Sequence, residues 1–200
     1  MNQKIIFASN NAGKLAELQH AFQHTSIEIV PQSFFNIEDV EETGLTFVEN
    51  ALLKARHAAE ISKLPAIADD SGLVVPYLKG EPGIYSARYA GMPQNPEANI
   101  KKCLDALKNV AFENRRAWFH CSLVFLSSAT DPAPIIAEGQ WHGHILTIVR
   151  GTKGFGYDPI FLDPTTQRSA AELSHDEKNQ LSHRGKAVRE LINKLCKHSQ

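Results

Sequence analysis

Short apolar runs and helical stripes alternate along this chain from its N-terminus. Lys4 to Ala8 reads as a short strand, followed by a helix that sets Leu15, Leu18 and Phe22 on one face. Ile27 to Val30 is a second strand, closed by Pro31. A helix from about Phe47 to Ser62 opens on Thr46-x-x-Glu49, the spacing of a capping box. Its Ala51, Ala55, Ala58 and Ala59 suit close packing on a sheet. Ala66-Ile67-Ala68 reads as a short buried strand that runs out at Asp69-Asp70-Ser71-Gly72, with a second apolar run, Leu73-Val74-Val75, after it. Asn95-Pro96 starts a helix whose stripe is Ile100, Leu104 and Leu107. Ala117 to Ser127 is a long apolar strand, and Ile135 to Val149 gives one or two more, broken near Gly143. Ile160 to Leu162 is a last short strand. A second capping-box pattern at Ser174 and Glu177 precedes Ser182-His183-Arg184-Gly185, which interrupts the helical pattern before a final helix from Lys186 to Lys197. Trp118, Phe119, Phe125 and Trp141 are expected in the core.

Composition narrows the class without changing this outline. A chain of 200 residues, 42% hydrophobic and 22% charged, is enough for one large domain or two closely joined lobes. A net charge of −1 gives no electrostatic reason to expect nucleic acid or a membrane surface as partner. No apolar run approaches the length of a transmembrane helix. The stretch Met1 to Ala8 turns polar at Ser9-Asn10-Asn11, too early for a secretory signal. Cys103, Cys121 and Cys196 are odd in number and widely spaced, which suits reduced thiols in a cytoplasmic protein.

Several stretches carry candidate chemistry. Ser9-Asn10-Asn11-Ala12-Gly13-Lys14 lies between a strand and a helix start, where free amide N–H groups and the helix dipole favour an anion. A plain turn with Asn-Gly chemistry has the same outline. It is not a Walker A loop, because Leu15 stands where Ser or Thr would bind magnesium. Asp69 and Asp70 at a buried strand end repel one another unless a cation or hydrogen-bond donors compensate. Taken alone, Asp-Asp-Ser-Gly suits an ordinary turn at least as well. The run Glu38, Asp39, Glu41, Glu42 is either a solvated loop or the source of one more carboxylate for that site. In Gly154-Phe155-Gly156-Tyr157-Asp158 the two aromatic rings either stand clear to stack on a flat ligand or fold back into the core. Lys178, His183 and Arg184 form a late group of donors. The pairs His20/His24 and His142/His144 have no third ligand nearby in sequence and are set aside as metal sites.

An anion loop, oxygen ligands suited to Mg²⁺, a stacking aromatic and base-edge donors together describe a nucleoside triphosphate. The blocks Ser9-x-Asn11-x-x-Lys14, Thr46-Phe47-x-Glu49-Asn50-Ala51-x-x-Lys54-Ala55 and Ala68-Asp69-Asp70-Ser71-Gly72-Leu73 resemble the inosine triphosphate pyrophosphatase family, the dITP/XTP pyrophosphatases. So do Pro82-Gly83-Ile84-Tyr85-Ser86-Ala87-Arg88, Gly154-Phe155-Gly156-Tyr157-Asp158-Pro159 and Ser182-His183-Arg184. The resemblance runs from about Lys4 to Leu195. It implies an α/β fold, a mixed sheet with flanking helices in two lobes around a central cleft, with residues 1–200 as a single domain, and a homodimer. The implied reaction is hydrolysis of a non-standard purine nucleoside triphosphate (dITP, ITP, XTP) to the monophosphate and pyrophosphate. The resemblance also implies roles. Ser9, Asn10, Asn11, Ala12, Gly13 and Lys14 would hold the triphosphate with Lys54. Glu42 and Asp70 would hold Mg²⁺, with Asp69 and Ser71 completing that shell and Asp70 accepting the proton of the attacking water. Phe155, Gly156, Tyr157, Asp158, Lys178, His183 and Arg184 would contact the nucleoside. Asn10 departs from the family pattern, in which Gly is common at that position. Two other readings use the same residues: a non-catalytic nucleotide sensor, and a magnesium-dependent phosphatase or nucleotidyl transferase.

Overall fold

The computed structural model describes residues 3–198, so Met1 and Asn2 of the N-terminal stretch lie outside the described residues. The strands are β1 (Gln3–Phe7), β2 (Ile27–Pro31), β3 (Ala66–Val74), β4 (Arg116–Leu126), β5 (Ile135–Ile145) and β6 (Phe161–Leu162). The α-helices are α1 (Ala12–Phe22), α2 (Phe47–Ser62), α3 (Pro96–Ala106), α4 (His175–Leu181) and α5 (His183–His198). The strands form one mixed sheet in the order β2-β1-β3-β4-β5-β6. Strand β1 pairs in parallel with β2 and with β3, while β5 and β6 are antiparallel. The expected mixed α/β fold with flanking helices is therefore the observed one.

The chain divides into two compact units, and β3, β4 and β5 each contribute residues to both. The first unit holds the chain up to Asp70, Cys121–Gly139 and the chain from Lys186 onward. Period-two alternation sorts its core into two apolar groups. Ile5, Phe7 and Ile67 pack with Leu18 and Phe22 of α1 and with Val188, Leu191 and Leu195 of α5. Their neighbours Ile6, Ala8, Ala66 and Ala68 pack instead with Ala51, Ala55, Ala58 and Ala59 of α2. Four alanines bring the backbone of α2 close to the strands, and with it every side chain on that helix face. In the second unit, Leu73, Ala117, Phe119, Trp141, Ile145 and Phe161 form the core with Cys103 and Leu107. Buried Arg115 holds that unit together through carbonyls, donating to Leu107, Ile145 and Leu146 at 2.7–2.8 Å.

Four expectations are corrected. Asp69-Asp70-Ser71-Gly72 is not a turn after a short strand; β3 runs unbroken through it from Ala66 to Val74. Strand β5 is not broken at Gly143. A Cβ there would lie 2.3 Å from the Leu162 carbonyl oxygen, so glycine is what admits β6 alongside. Trp118 is outside the core: Ala117 and Phe119 face inward, and the indole lies beside His142 with ring centroids 5.9 Å apart. The last helix starts at His183 rather than Lys186, because Ser182 is extended and its hydroxyl accepts from Gly185 N, which caps the new helix.

Ala55→Leu should push α2 off the sheet and destabilise the protein by about 1–3 kcal/mol. Leu53→Ala, at a position 36% exposed, should stay within about 0.5 kcal/mol of wild type. Urea unfolding measures both, and equal effects of the two substitutions would contradict the packing described.

Candidate active site

Asp69 and Asp70 are both buried, at 1% and 6% exposure, in the middle of a strand. Consecutive strand residues face opposite sides, so each carboxylate meets the helix covering its own side. Asp69 follows Ile67 on the α1 side, where Lys14 Nζ lies 3.0 Å from its Oδ1. Asp70 follows Ala68 on the α2 side. There Lys54 Nζ lies 3.4 Å from Asp70 Oδ1, and Asn50 Nδ2 donates to Oδ2 at 3.2 Å. Lys54 also donates to Glu42 Oε1 at 2.7 Å, so one member of the acidic run does reach this site.

Three carboxylates (Glu42, Asp69, Asp70) thus surround two ammonium groups (Lys14, Lys54). Burial raises the Asp70 pKa above the ordinary carboxylate value, and Glu42 and Asp69 add to that rise against the pull of Lys54 and Lys14. Burial works against the charge on Lys54, but Asp70, Asp69 and Glu42 outweigh it and hold the ammonium protonated. The cost of burial and of neighbouring like charge therefore falls on Asp70.

The loop from Ser9 to Lys14 is shaped by its own side chains. Asn11 caps α1, its Oδ1 accepting from Lys14 N at 3.0 Å, and Ser9 Oγ accepts from Asn11 N at 3.2 Å. Ala12 and Gly13 form the exposed first turn. Asn10 turns its side chain to the acidic loop and donates to Asp39 Oδ1 at 3.0 Å.

The second unit carries the remaining predicted residues. Ser71 Oγ accepts from Arg184 at 3.1 Å. Phe155 is 42% exposed, with Lys178 Nζ 4.6 Å and Arg184 Cζ 5.5 Å from its ring centroid. Buried Asp158 organises this group: one oxygen, Oδ2, accepts from Lys178 Nζ at 2.5 Å and from Phe155 N at 2.8 Å. A Cβ on Gly154 would lie 2.1 Å from that oxygen, and its φ of +78° also requires glycine. Gly156, at φ +59°, makes the following turn. The two rings on either side of Gly156 part company. Phe155 stands at the surface, whereas Tyr157 packs in the core and its hydroxyl donates to the Ser86 carbonyl at 2.9 Å. His183 is also buried, stacked on Phe119 at 4.8 Å between centroids.

Among the described residues no group of three or more His, Cys, Asp or Glu is arranged to hold a metal. The donor set nonetheless fits a hard divalent cation. Glu42 and Asp70 already converge on one positive charge, the Lys54 ammonium. Mg²⁺ is commonly held by one or two carboxylates with water and substrate phosphates as its other ligands.

Sequence reasoning missed Asn50 as part of the site. It lies in the helix block quoted above, but a single Asn in a helix carries no signal until Asp70 is seen beside it.

Hydrogen-bonded carboxylates with paired lysines beside a helix N-terminus on a mixed α/β sheet have the chemistry that suits a polyanion and a hard cation. The chain belongs to the Ham1 family, whose model matches residues 5–194. It is 55% identical over 189 residues to a dITP/XTP pyrophosphatase of Halorhodospira halophila, covering 94% of this chain and 95% of that protein. It is 49% identical over 193 residues to a dITP/XTP pyrophosphatase of Escherichia coli, covering 96% and 98%. The structure of a HAM1 protein from Coxiella burnetii matches with a TM-score of 0.92 and 48% identity, over 98% of this chain and 99% of that one.

The charge imbalance predicts a specific pH dependence. A carboxyl whose folded-state pKa lies above its unfolded value weakens the fold once it ionises. That loss is absent below the ordinary value of 3.8 and is complete above the raised one. Metal-free Asp70→Asn should therefore melt at a higher temperature than wild type at neutral pH. The two melting temperatures should converge toward about pH 4. Calorimetry over that range tests this, and a variant less stable than wild type at neutral pH would contradict it.

Proposed function

We propose that the protein hydrolyses non-standard purine nucleoside triphosphates (dITP, ITP and XTP) to the monophosphate and pyrophosphate, and so removes them from the nucleotide pool. Membership of the Ham1 family, and the name shared by relatives about half identical over nearly the whole chain, support this reading. The observation that carries it for this chain is the cluster of Asp69, Asp70 and Glu42 with Lys14 and Lys54.

The triphosphate falls to Ser9, Asn11, the first turn of α1, Lys14 and Lys54. Both lysines are point charges that offset the negative charge developing on a departing pyrophosphate. Asp70 accepts the proton of the water that attacks the α-phosphorus, a role that suits a carboxylate held between Lys54 and Asn50. Mg²⁺ held by Glu42 and Asp70, with Asp69 beside them, would neutralise charge on the phosphate oxygens. The base stacks on Phe155, and Lys178, His183 and Arg184 supply donors for its edge. The protein acts as a cytoplasmic homodimer in this reading.

Donors explain a preference for 6-keto purines. Hypoxanthine and xanthine present an acceptor at position 6, adenine a donor. Lys178 and Arg184 can only donate. Against adenine each buried donor left unpaired costs roughly 1–3 kcal/mol, and more where charged. Phe155 adds stacking without choice.

Incubation with Mg²⁺ and a panel of ITP, dITP, XTP, ATP and GTP should yield monophosphate and pyrophosphate in equal amounts from the first three. Nucleoside diphosphate as the initial product would favour a phosphatase. Asp70→Asn should bind nucleotide and lose most turnover; binding with no hydrolysis by wild type would favour a sensor. In a comparison of kcat/KM, Lys178→Ala and Arg184→Ala should lower ITP activity far more than ATP activity. Phe155→Ala should lower both by similar factors. An unchanged ITP/ATP ratio in the donor variants would place base selection elsewhere.

A further inference from the structure

The loop that carries Glu42 runs antiparallel along one face of α2. Glu38 O meets His57 Nε2 at 3.1 Å, Glu42 Oε1 meets Lys54 Nζ at 2.7 Å, Gly44 N donates to Asn50 Oδ1 at 2.8 Å, and Leu45 N donates to Glu49 Oε2 at 2.9 Å. Residues 50, 54 and 57 are four and then three apart, which puts them on one helical stripe. Only Asn50 on this stripe is fully buried, at 0% exposure, and both ends of its amide are used. Its Oδ1 accepts from Gly44 N, two residues beyond Glu42, and its Nδ2 donates to Asp70 Oδ2 at 3.2 Å. The approach is close enough to dictate the loop residue: a Cβ on Gly44 would lie 2.7 Å from Asn50 Oδ1 and 2.7 Å from Glu49 Cβ.

We propose that Asn50 is a positioning residue that fixes the Asp70 carboxylate and the Glu42 loop relative to one another. This rests on the reading of Asp70 and Glu42 given above. Asn50 lies on the alanine-rich side of the sheet, where a bare packing role would be met by an apolar side chain without the cost of burying an amide. The amide is asymmetric, and each half faces the group it alone can satisfy. Its NH₂ holds Asp70 Oδ2, which leaves Oδ1 on the side facing Lys54. Its carbonyl holds the Gly44 N–H, which sets how far Glu42 stands from Asp70. An aspartate at position 50 keeps the shape and the second bond, but loses the first and adds a carboxylate to a cluster already rich in them.

The two ends separate by mutation. Asn50→Asp should lower kcat for ITP about 10–100-fold, the range for residues that orient a ligand from behind, while KM stays within about twofold. Amide hydrogen exchange of the metal-free protein at residues 42–46 should remain near wild type in that variant. In Asn50→Ala the same amides should lose their protection, with a similar or larger fall in kcat. Asp70→Asn is measured alongside. If Asp70→Asn loses turnover while both Asn50 variants keep kcat within about twofold of wild type, the inference is overturned and the reading of Asp70 stands. If Asp70→Asn turns over normally, the reading of Asp70 fails and the orienting half of the inference fails with it. Unchanged exchange at residues 42–46 in Asn50→Ala overturns the half that concerns the loop.

Discussion

Asp69 and Asp70 point to opposite sides of β3, and both are buried, so a single counter-ion cannot face both directly. An isolated buried carboxylate is unfavourable enough to be neutralised by protonation or pairing. The chain meets this with one lysine from each covering helix, Lys14 in the first turn of α1 and Lys54 two turns into α2. The position of both helices follows from that need and from the alternating core beneath them. Glu42 then brings a third carboxylate to Lys54. Burial, with Glu42 and Asp69 adding to it, raises the proton affinity of Asp70, and three carboxylates on neighbouring elements suit a hard cation.

In the function proposed above, the lysines have two partners. Without substrate they neutralise the carboxylates of the strand and loop. With a triphosphate present, the phosphates compete for the same ammonium groups, and the carboxylates are left in need of positive charge. A hard cation and a polyphosphate therefore favour each other's binding through the same two lysines, a coupling that needs no change of fold. In the second unit the Phe155 loop follows a similar economy. One buried oxygen of Asp158 holds both the Lys178 ammonium and the backbone of Phe155, so the Phe155 ring and that ammonium are placed together.

Much of this is legible in the sequence, and most of the departures from it depend on partners distant along the chain. The bounds of α2 follow from Thr46, Glu49 and the alanine spacing, because caps and stripes are local signals. Asp-Asp-Ser-Gly misled because every residue in it favours turns, while its strand character comes from pairing within the sheet. Gly143 misled for the same reason: its need for glycine lies in the approach of Leu162, distant in sequence. At Ser182 a capping hydroxyl was present to be read, but the helix it starts follows so closely on α4 that the two patterns merge. The parting of Phe155 from Tyr157 is not decidable from their spacing, since both flank Gly156 and it is the core around Tyr157, with the Ser86 carbonyl, that holds one ring inward. Asn50 was invisible for want of its partners, Gly44 and Asp70, one of them 20 residues away.

In the proposed function, Lys14 and Lys54 serve the carboxylates in the absence of substrate and the phosphates in its presence. A crystal structure with Mg²⁺ and a dITP analogue that resists cleavage between the α- and β-phosphates tests it directly. Both lysine Nζ atoms should then lie within hydrogen-bond distance of phosphate oxygens, with the metal on Glu42 and Asp70. A bound nucleotide with Lys14 still on Asp69 and Lys54 still on Glu42, and no phosphate within reach of either, would contradict it.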